Sequence, residues 1–389
     1  MKALNQVSIV KCENYERERV VEAVKKSFDL IGGIGKFIKP GMKVALKPNL
    51  LTRKSPESAA AIHPEVVYAV GKLVKEAGAD VKVVESPGGP YSVAMLKAVY
   101  SGCGITQIAQ DAEIELNYDT SIIDVDNPKG LYLKKITVLK PLTEADFIID
   151  LPKLKTHGQM LYTGAVKNMF GAIPGTQKAE YHLRMHHYKD FANTLIDIFL
   201  SVKPGLVLMD GITAMEGMGP SNGTPRDLGL IFASDNAFDL DLVASTLINI
   251  KPEHIPVLNQ GMERGLCKTD VDQIKIVGED LKSQIVYDFE TPPYDSLNRL
   301  DFTQKSIFGK AFKIFTPKPR FHLDQCIGCG ICARSCPPKV IKMENKLPQV
   351  NLDNCIRCFC CQELCPEGAI DIKRSILAGQ FLNGKKVNR

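Results

Sequence analysis

The chain has 389 residues, 44% of them hydrophobic, and a formal net charge of +5, the proportions of a globular protein of two or three domains. No apolar run approaches the roughly 18 to 20 residues of a membrane-spanning helix; ANTLIDIFLSV is short and carries Asp197. The opening MKALNQVSIVKCENYERER lacks the layout of a secretory signal, so a cytoplasmic location and no membrane partner are expected, and there twelve cysteines point to metal or redox chemistry more than to disulfides.

In chain order, VSIVK reads as a strand and leads into an amphipathic stretch from Tyr15 to Leu30. VALKP is followed by a helix opened by Pro64, and VKVVES by SVAMLKAVYSG. FIIDLPK, TGAVKNMFG and a longer helical region through Leu200 come next, then the apolar, β-branched runs LVLMDG, LGLIFAS and IKIVG. Strands alternating with helices predict an α/β domain over residues 1–285, with a mostly parallel sheet and helices on both faces. TPPYDSLNRLDFTQKS, rich in turn and polar residues, marks a linker at 286–315. Residues 316–389 form a separate cysteine-rich module with a basic tail.

Ligands in such sheets gather at the carboxyl ends of the strands, where the crossover loops open onto one edge. Lys47 and Asn49 close the second strand, Glu85 the third, and Asp210 ends LVLM. The segment LPKLKTHG places Lys153, Lys155 and His157 on one side of an extended chain. Three such groups repel one another unless an anion lies between them; a solvated lysine-rich edge is the alternative. Thr163 is positioned to cap a helix carrying Lys167 and Asn168, whose amino end favours anions. One helical turn separates Lys178 from His182, and another separates His182 from His186. His182 is the site candidate there, while His186 and His187 fit an exposed helix. The loop DGITAMEGMGPSNG fails the dinucleotide fingerprint, and its Glu216, Gly219 and Pro220 suit a shaped loop over a pocket with Asp210 beneath.

The tail contains one pattern twice, CIGCGICARSCP and CIRCFCCQELCP, each reading C-x2-C-x2-C-x3-C-P. This is the spacing of two-cluster ferredoxins, in which three cysteines wrap one [4Fe–4S] cube and the fourth reaches the other. Cluster one is thus assigned Cys326, Cys329, Cys332 and Cys365, and cluster two Cys355, Cys358, Cys361 and Cys336. Cys360 is out of register and reads as a packing residue beside its neighbour's cluster, and Cys12, Cys103 and Cys267 as buried apolar positions. From Asp301 onward the chain carries 15 basic against 7 acidic residues. That excess offsets metal–thiolate charge, and without aromatic interleaving or a basic helix it does not indicate nucleic acid.

Residues from about 316 to 374 resemble a small α+β bacterial-type ferredoxin module. KPNL, the IHP at His63, ESPGG, DLPKLKTHGQMLYTGAVKNMFGAIPG, Lys178 with His182, and DGITAMEGMGPSNG together resemble the domain-of-unknown-function 362 family, many members of which carry such a tail. The family name implies no established reaction. Two functions are expected. In the first, an oxidoreductase takes electrons from a redox partner protein through two [4Fe–4S] clusters to a small anionic ligand. Lys47, Asn49, Lys153, Lys167, Asn168, Lys178, His182 and Asp210 would bind that ligand, with His157, Lys155 and Glu85 catalytic and His157 the proton donor. In the second, a ferredoxin-type carrier or adaptor docks a partner enzyme through its α/β domain. A concave site for the lysines favours the first, and a flat or convex face the second.

Overall fold

The computed structural model describes residues 6–185, 187–292 and 317–373. His186, most of the expected linker and the basic tail lie outside the described residues. The large sheet contains β1 (Gln6–Lys11), β2 (Lys43–Pro48), β3 (Asp80–Val83), β4 (Glu115–Leu116), β7 (Phe147–Leu151), β10 (Leu206–Glu216), β11 (Thr224–Ser234) and β12 (Lys275–Gly278). Their order is β12-β1-β11-β10-β7-β2-β3-β4. A separate hairpin, β5 (Ile122–Asp126) with β6 (Lys135–Leu139), stands apart.

Period-two alternation explains why these segments are strands buried on both faces. Ala45, Ile148, Val207, Met209 and Phe232 enter one core. Their neighbours Val44, Leu46, Ile149, Leu206, Leu208, Ile231 and Ala233 enter the other. Helices Arg17–Asp29, Pro64–Glu76 and Val93–Gly102 cover the second face, and Tyr188–Val202, Ala237–Leu247 and Pro256–Glu263 the first. The protein is therefore an α/β fold with helices on both faces of a mostly parallel sheet. Strand β11 alone runs against both its neighbours on this path, because it returns from β10 as a hairpin in which Glu216 pairs with Thr224.

One departure from simple winding builds the site. After β7 the chain passes Pro152 and continues as β8 (Lys153–His157), parallel to the far half of β10 and paired with β9 (Leu161–Thr163). The long β10 thus carries the edge outward, and the residues after the strand end become a second wall.

The carboxyl-terminal module has two small antiparallel sheets, β13 (Lys318–Phe321) with β16 (Ile370–Lys373) and β14 (Ile341–Glu344) with β15 (Leu347–Val350). Its internal repeat extends to the backbone. Gly328 and Gly330 in the first copy, and Arg357 and Phe359 in the second, occupy the same motif positions and all have left-handed φ, between 59° and 70°. Each pair precedes a one-turn helix, Ile331–Arg334 or Cys360–Glu363. The second copy pays strain at two non-glycine residues to keep this curl.

The module sits on the carboxyl edge of the sheet. Ser221 Oγ donates to the Glu363 carbonyl at 2.6 Å, Asn222 Nδ2 to the Gln362 carbonyl at 3.0 Å and Gln362 Nε2 to the Met218 carbonyl at 3.2 Å. Lys54 Nζ donates to the Pro366 carbonyl at 2.8 Å. The turn between β10 and β11 is therefore a cradle for the module.

Candidate functional site

At the strand ends the buried charges sort into partners. Lys47 Nζ meets Glu85 Oε2 at 2.8 Å, with both side chains almost fully buried. Glu85 also accepts from the backbone of Ser86 at 2.7 Å and Leu50 at 3.3 Å. Gly171 lies directly over the pair: a Cβ there would fall 2.4 Å from Glu85 Oε1 and 2.5 Å from Lys47 Nζ. Asn168 Nδ2 donates to Asp150 Oδ1 at 2.7 Å and accepts at its Oδ1 from Asn49 Nδ2 at 2.9 Å. Burial holds the Asp150 carboxyl well above the usual range, and its Oδ2 has no hydrogen-bond partner among the described residues.

Lys153 Nζ pairs with Asp210 Oδ2 at 2.8 Å, and Tyr15 Oη bridges the two, accepting from Lys153 at 2.8 Å and donating to Asp210 Oδ1 at 2.9 Å. Lys155 Nζ donates to the Ala60 carbonyl at 2.5 Å. His157 Nε2 lies 3.1 Å from Glu363 Oε1, a close contact that is not a well-aligned hydrogen bond. The three side chains of β8 thus have three separate protein partners. The expectation that one anion must lie among them fails, because folding supplies a carboxylate, a carbonyl and a second carboxylate.

Two connected cavities lie where the module meets the edge. The inner one, about 60 Å³, is lined by Lys47, Asn49, Glu85, Lys155, Thr163, Lys167, Asn168, Lys178, Pro220 and Glu363, among others. The outer one, about 280 Å³, includes Lys167, Phe170, Lys178, His182, Cys336, Cys360 and Glu363. Of the expected site residues, Lys153, Asp210 and His157 line neither cavity. Asp210 neutralises Lys153 and does not lie beneath the loop, while Glu85 pairs with Lys47 and not with His157. Glu216, expected over the pocket, instead accepts from the Glu290 backbone at 3.0 Å.

Electrostatics change the roles further. Burial, reinforced by Lys167, lowers His157 to about 4. Its Nδ1 accepts from the backbone of Gln159 at 3.1 Å and Met160 at 3.3 Å, so Nε2 carries the proton. A neutral imidazole behind Glu363 is a positioning group, and the expected proton donor is corrected on that ground. Burial raises the Glu363 carboxyl, but His157, Lys167 and His182 outweigh it and hold the group down at about 2. Burial, with Lys167 nearby, lowers Lys155 to about 7. Burial also lowers Lys178 to about 7, although its ammonium donates to Ser86 and Pro87. Lys167 is lowered too, by burial, with Glu363 opposing. Among the described residues, none of these three lysines is within ion-pair distance of a carboxylate.

Two further expectations are corrected. Thr163 does not cap the helix Ala165–Asn168; Asp241 does, accepting from the backbone of Ala165 at 2.7 Å and Val166 at 3.0 Å. Gly164 makes room for it, since a Cβ there would fall 2.0 Å from Asp241 Oδ1. His187 caps the helix Tyr188–Val202 through Nδ1, which accepts from Lys189. His182 is buried, with its ring centroid 4.3 Å from that of Phe191.

The cysteines fall into two groups around two smaller cavities. Cys326, Cys329, Cys332 and Cys365 line one. Cys336, Cys355, Cys358 and Cys361 line the other. Both are otherwise mainly apolar, with Phe321, Ile327 and Ile370 in the first and Pro319, Ile341 and Phe359 in the second. Four thiols converging on an apolar hollow, below a left-handed loop, fit a cubane cluster. Cys360 is absent from both hollows and faces the outer cavity, one residue around the helix from Cys361.

A family model described as a domain of unknown function, DUF362, matches residues 44–246, and one described as a 4Fe-4S dicluster domain matches residues 318–366. The chain belongs to the DUF362 family. Its dicluster domain makes it an iron–sulfur protein. A relative in Synechocystis sp., named thylakoid-associated protein sll1697, is 33% identical over 318 residues, covering 80% of this chain and 95% of the relative. Two solved structures align at 12% identity and a TM-score of 0.37. The lactate racemase apoprotein of Thermoanaerobacterium thermosaccharolyticum covers 59% of this chain and 53% of its own length, and a Thermotoga maritima protein covers 59% and 57%. This chain thus spans just over half of each. Among the described residues of the DUF362 protein, no helix is long and apolar enough to cross a membrane.

Proposed function

We propose that this DUF362 protein is an iron–sulfur oxidoreductase acting on a small anionic ligand held between the sheet edge and the dicluster module. One observation carries the reading: Lys167, Lys178 and His182 share a single cavity with Cys336, assigned to the second cluster. Two [4Fe–4S] clusters, when bound, supply single electrons beside that cavity.

The chain's own residues supply the rest. Lys155, Lys167 and Lys178 present positive charge to a ligand without being cancelled by adjacent carboxylates. Lys155 and Lys178, at about 7, hold exchangeable protons near neutrality, which a reduction consumes. The Lys47–Glu85 pair and Asn168 fix the floor of the inner cavity. Glu363 closes the wall between the module and the edge and keeps His157 in one tautomer. The concave placement of the lysines favours this reading over an adaptor that presents them to a protein surface.

A redox partner protein belongs to the same proposal. Cys329 is exposed and Ile327 is 63% exposed, so the first cysteine group faces outward while the second faces the cleft. A cytoplasmic location is proposed from the thiol-rich composition, for a chain whose relative is named for the thylakoid.

The test is oxygen-free purification of the wild type and of Lys155→Ala, with identification of any small molecule that accompanies each. An anionic compound retained by the wild type, lost from the variant and reduced by the loaded protein is the expected result. No retained or added anion, with Lys155→Ala changing only the affinity for a protein partner, would favour the adaptor.

A further inference from the structure

The inner and outer cavities share Leu51, Gly88, Lys167, Phe170, Lys178 and Glu363, so they are two ends of one cleft. Their walls differ in chemistry. At the inner end Lys47 is paired with Glu85, while Lys155, Lys167 and Lys178 face the cavity, the first two opposed chiefly by Glu363 and Lys178 by Glu85. Positive charge is therefore in excess there. At the outer end Leu51, Ala179, Leu183, Pro337 and Leu364 provide apolar walls, and Leu183 remains 41% exposed. Gly88 packs directly against Leu364, since a Cβ there would fall 2.2 Å from Leu364 Cδ2 and 3.3 Å from the Leu51 carbonyl oxygen. The way between the cavities runs beside this contact, past Lys167 and Phe170, which line both.

Resting on the oxidoreductase reading, we infer that the ligand is an elongated amphiphile. Its acidic head group, a carboxylate or phosphate, is bound by Lys155, Lys167 and Lys178 in the inner cavity. Its apolar body passes Gly88 and lies along Leu183 and Leu364 towards Cys336. Charge neutralisation favours the head at the lysine-lined end, where the Lys155 ammonium is buried. Burial of apolar area favours the body at the other end. The arrangement sets the reactive part of the ligand in the body, since the cluster-ligating cysteine lines the outer cavity and not the inner one.

Calorimetric titration of the cluster-loaded protein with acetate, butanoate, hexanoate and octanoate tests this, with n-alkyl phosphates and the matching alkanols as parallel series. Affinity is expected to climb about fourfold per added methylene until the outer cavity is filled. Acids of either kind are expected to bind at least about tenfold more tightly than alkanols of the same length. Leu183→Asn should reduce the gain per methylene. Lys155→Met and Lys178→Met should each reduce the preference for acids, with iron content and circular dichroism confirming that they fold. Equal binding of acetate and octanoate, with acids still preferred over alkanols, overturns the apolar body and leaves the small-anion reading intact. No preference for acids overturns the head-group assignment, and failure of every probe to bind overturns the inference. These saturated probes carry no reducible group in the body, so their binding tests the inference alone, and the oxidoreductase reading stands or falls on the compound retained by the wild type.

Discussion

The carboxylate of Glu363 stands 3.1 Å from Nε2 of His157, across the joint between the dicluster module and the sheet edge. Its neighbours two residues away on either side are Cys361 and Cys365, assigned to different clusters. The segment that joins the two cysteine groups therefore also supplies a wall of the cleft. Both Glu363→Gln and Glu363→Ala remove the negative charge that faces Lys167; Gln keeps an oxygen near the imidazole N–H and should cost about 1 kcal/mol, whereas Ala also empties the wall and should cost about 3 kcal/mol or more. Denaturation midpoints and protease release of the module measure both, and equal effects of the two substitutions would contradict the contact's role.

Acid should loosen the protein through its buried histidines, against the smaller opposing effect of Asp150 and Asp241, whose carboxyls burial raises. Burial lowers His63, His157 and His182 each to about 4. An unfolded histidine titrates near 6.5, so between about pH 6.5 and 4 the unfolded chain binds protons that the folded chain refuses. Stability is full above that window and declines as pH falls through it. Urea midpoints from pH 7.5 to 5 should fall steadily, and His182→Phe should flatten the slope by up to one proton. A pH-independent midpoint would mean these imidazoles are solvated.

Anion binding should carry protons with it. With Lys155 and Lys178 at about 7, both are largely neutral at pH 8 in the empty cleft. A bound anion raises both, so protons are taken up and affinity drops as pH rises above 7. Titration of octanoate in two buffers of different ionisation enthalpy gives the uptake directly. About one proton or more is expected at pH 8, less in Lys155→Met, and none if the lysines stay charged throughout.

The cysteine assignment separates residues that adjoin in sequence. Cys326→Ser should remove the first cluster's signal and weaken the second, and Cys361→Ser should remove the second. Cys360→Ser should keep wild-type iron, because that thiol faces the cleft. Iron analysis of oxygen-free material decides this, and loss of iron in Cys360→Ser would require a different ligand set.

The strands were legible because β-branched apolar runs alternate with helices, and the polar residues after VALKP, VKVVES and FIIDLPK marked the working edge. The cysteine spacing was legible because its period is local. What sequence could not supply was long-range pairing. Lys153, Lys155 and His157 share a strand and look like one cluster, yet Asp210, Ala60 and Glu363 reach them from three distant segments. Tyr15, which bridges Lys153 and Asp210, gave no signal in a surface-like helix start. Two omissions did leave a trace. Asp241 is one of two buried acids in the helix AFDLDLVASTL; Asp239 pairs with Lys268, and capping a neighbouring helix accounts for Asp241. Glu363 is an acid set between fixed cysteines in a basic segment. Cys360, read as a packing residue out of register, lies buried beside Cys358, because consecutive helical residues point about 100° apart and turn it away from the hollow that Cys361 enters.

Electron paramagnetic resonance of the dithionite-reduced protein, with and without octanoate, tests most directly whether the ligand lies beside the second cluster. Cys326→Ser material identifies which signal belongs to that cluster. The expected result is a change confined to the second cluster's signal and absent in Lys155→Met. A spectrum unaltered by octanoate, or altered only in the first cluster's signal, would contradict it.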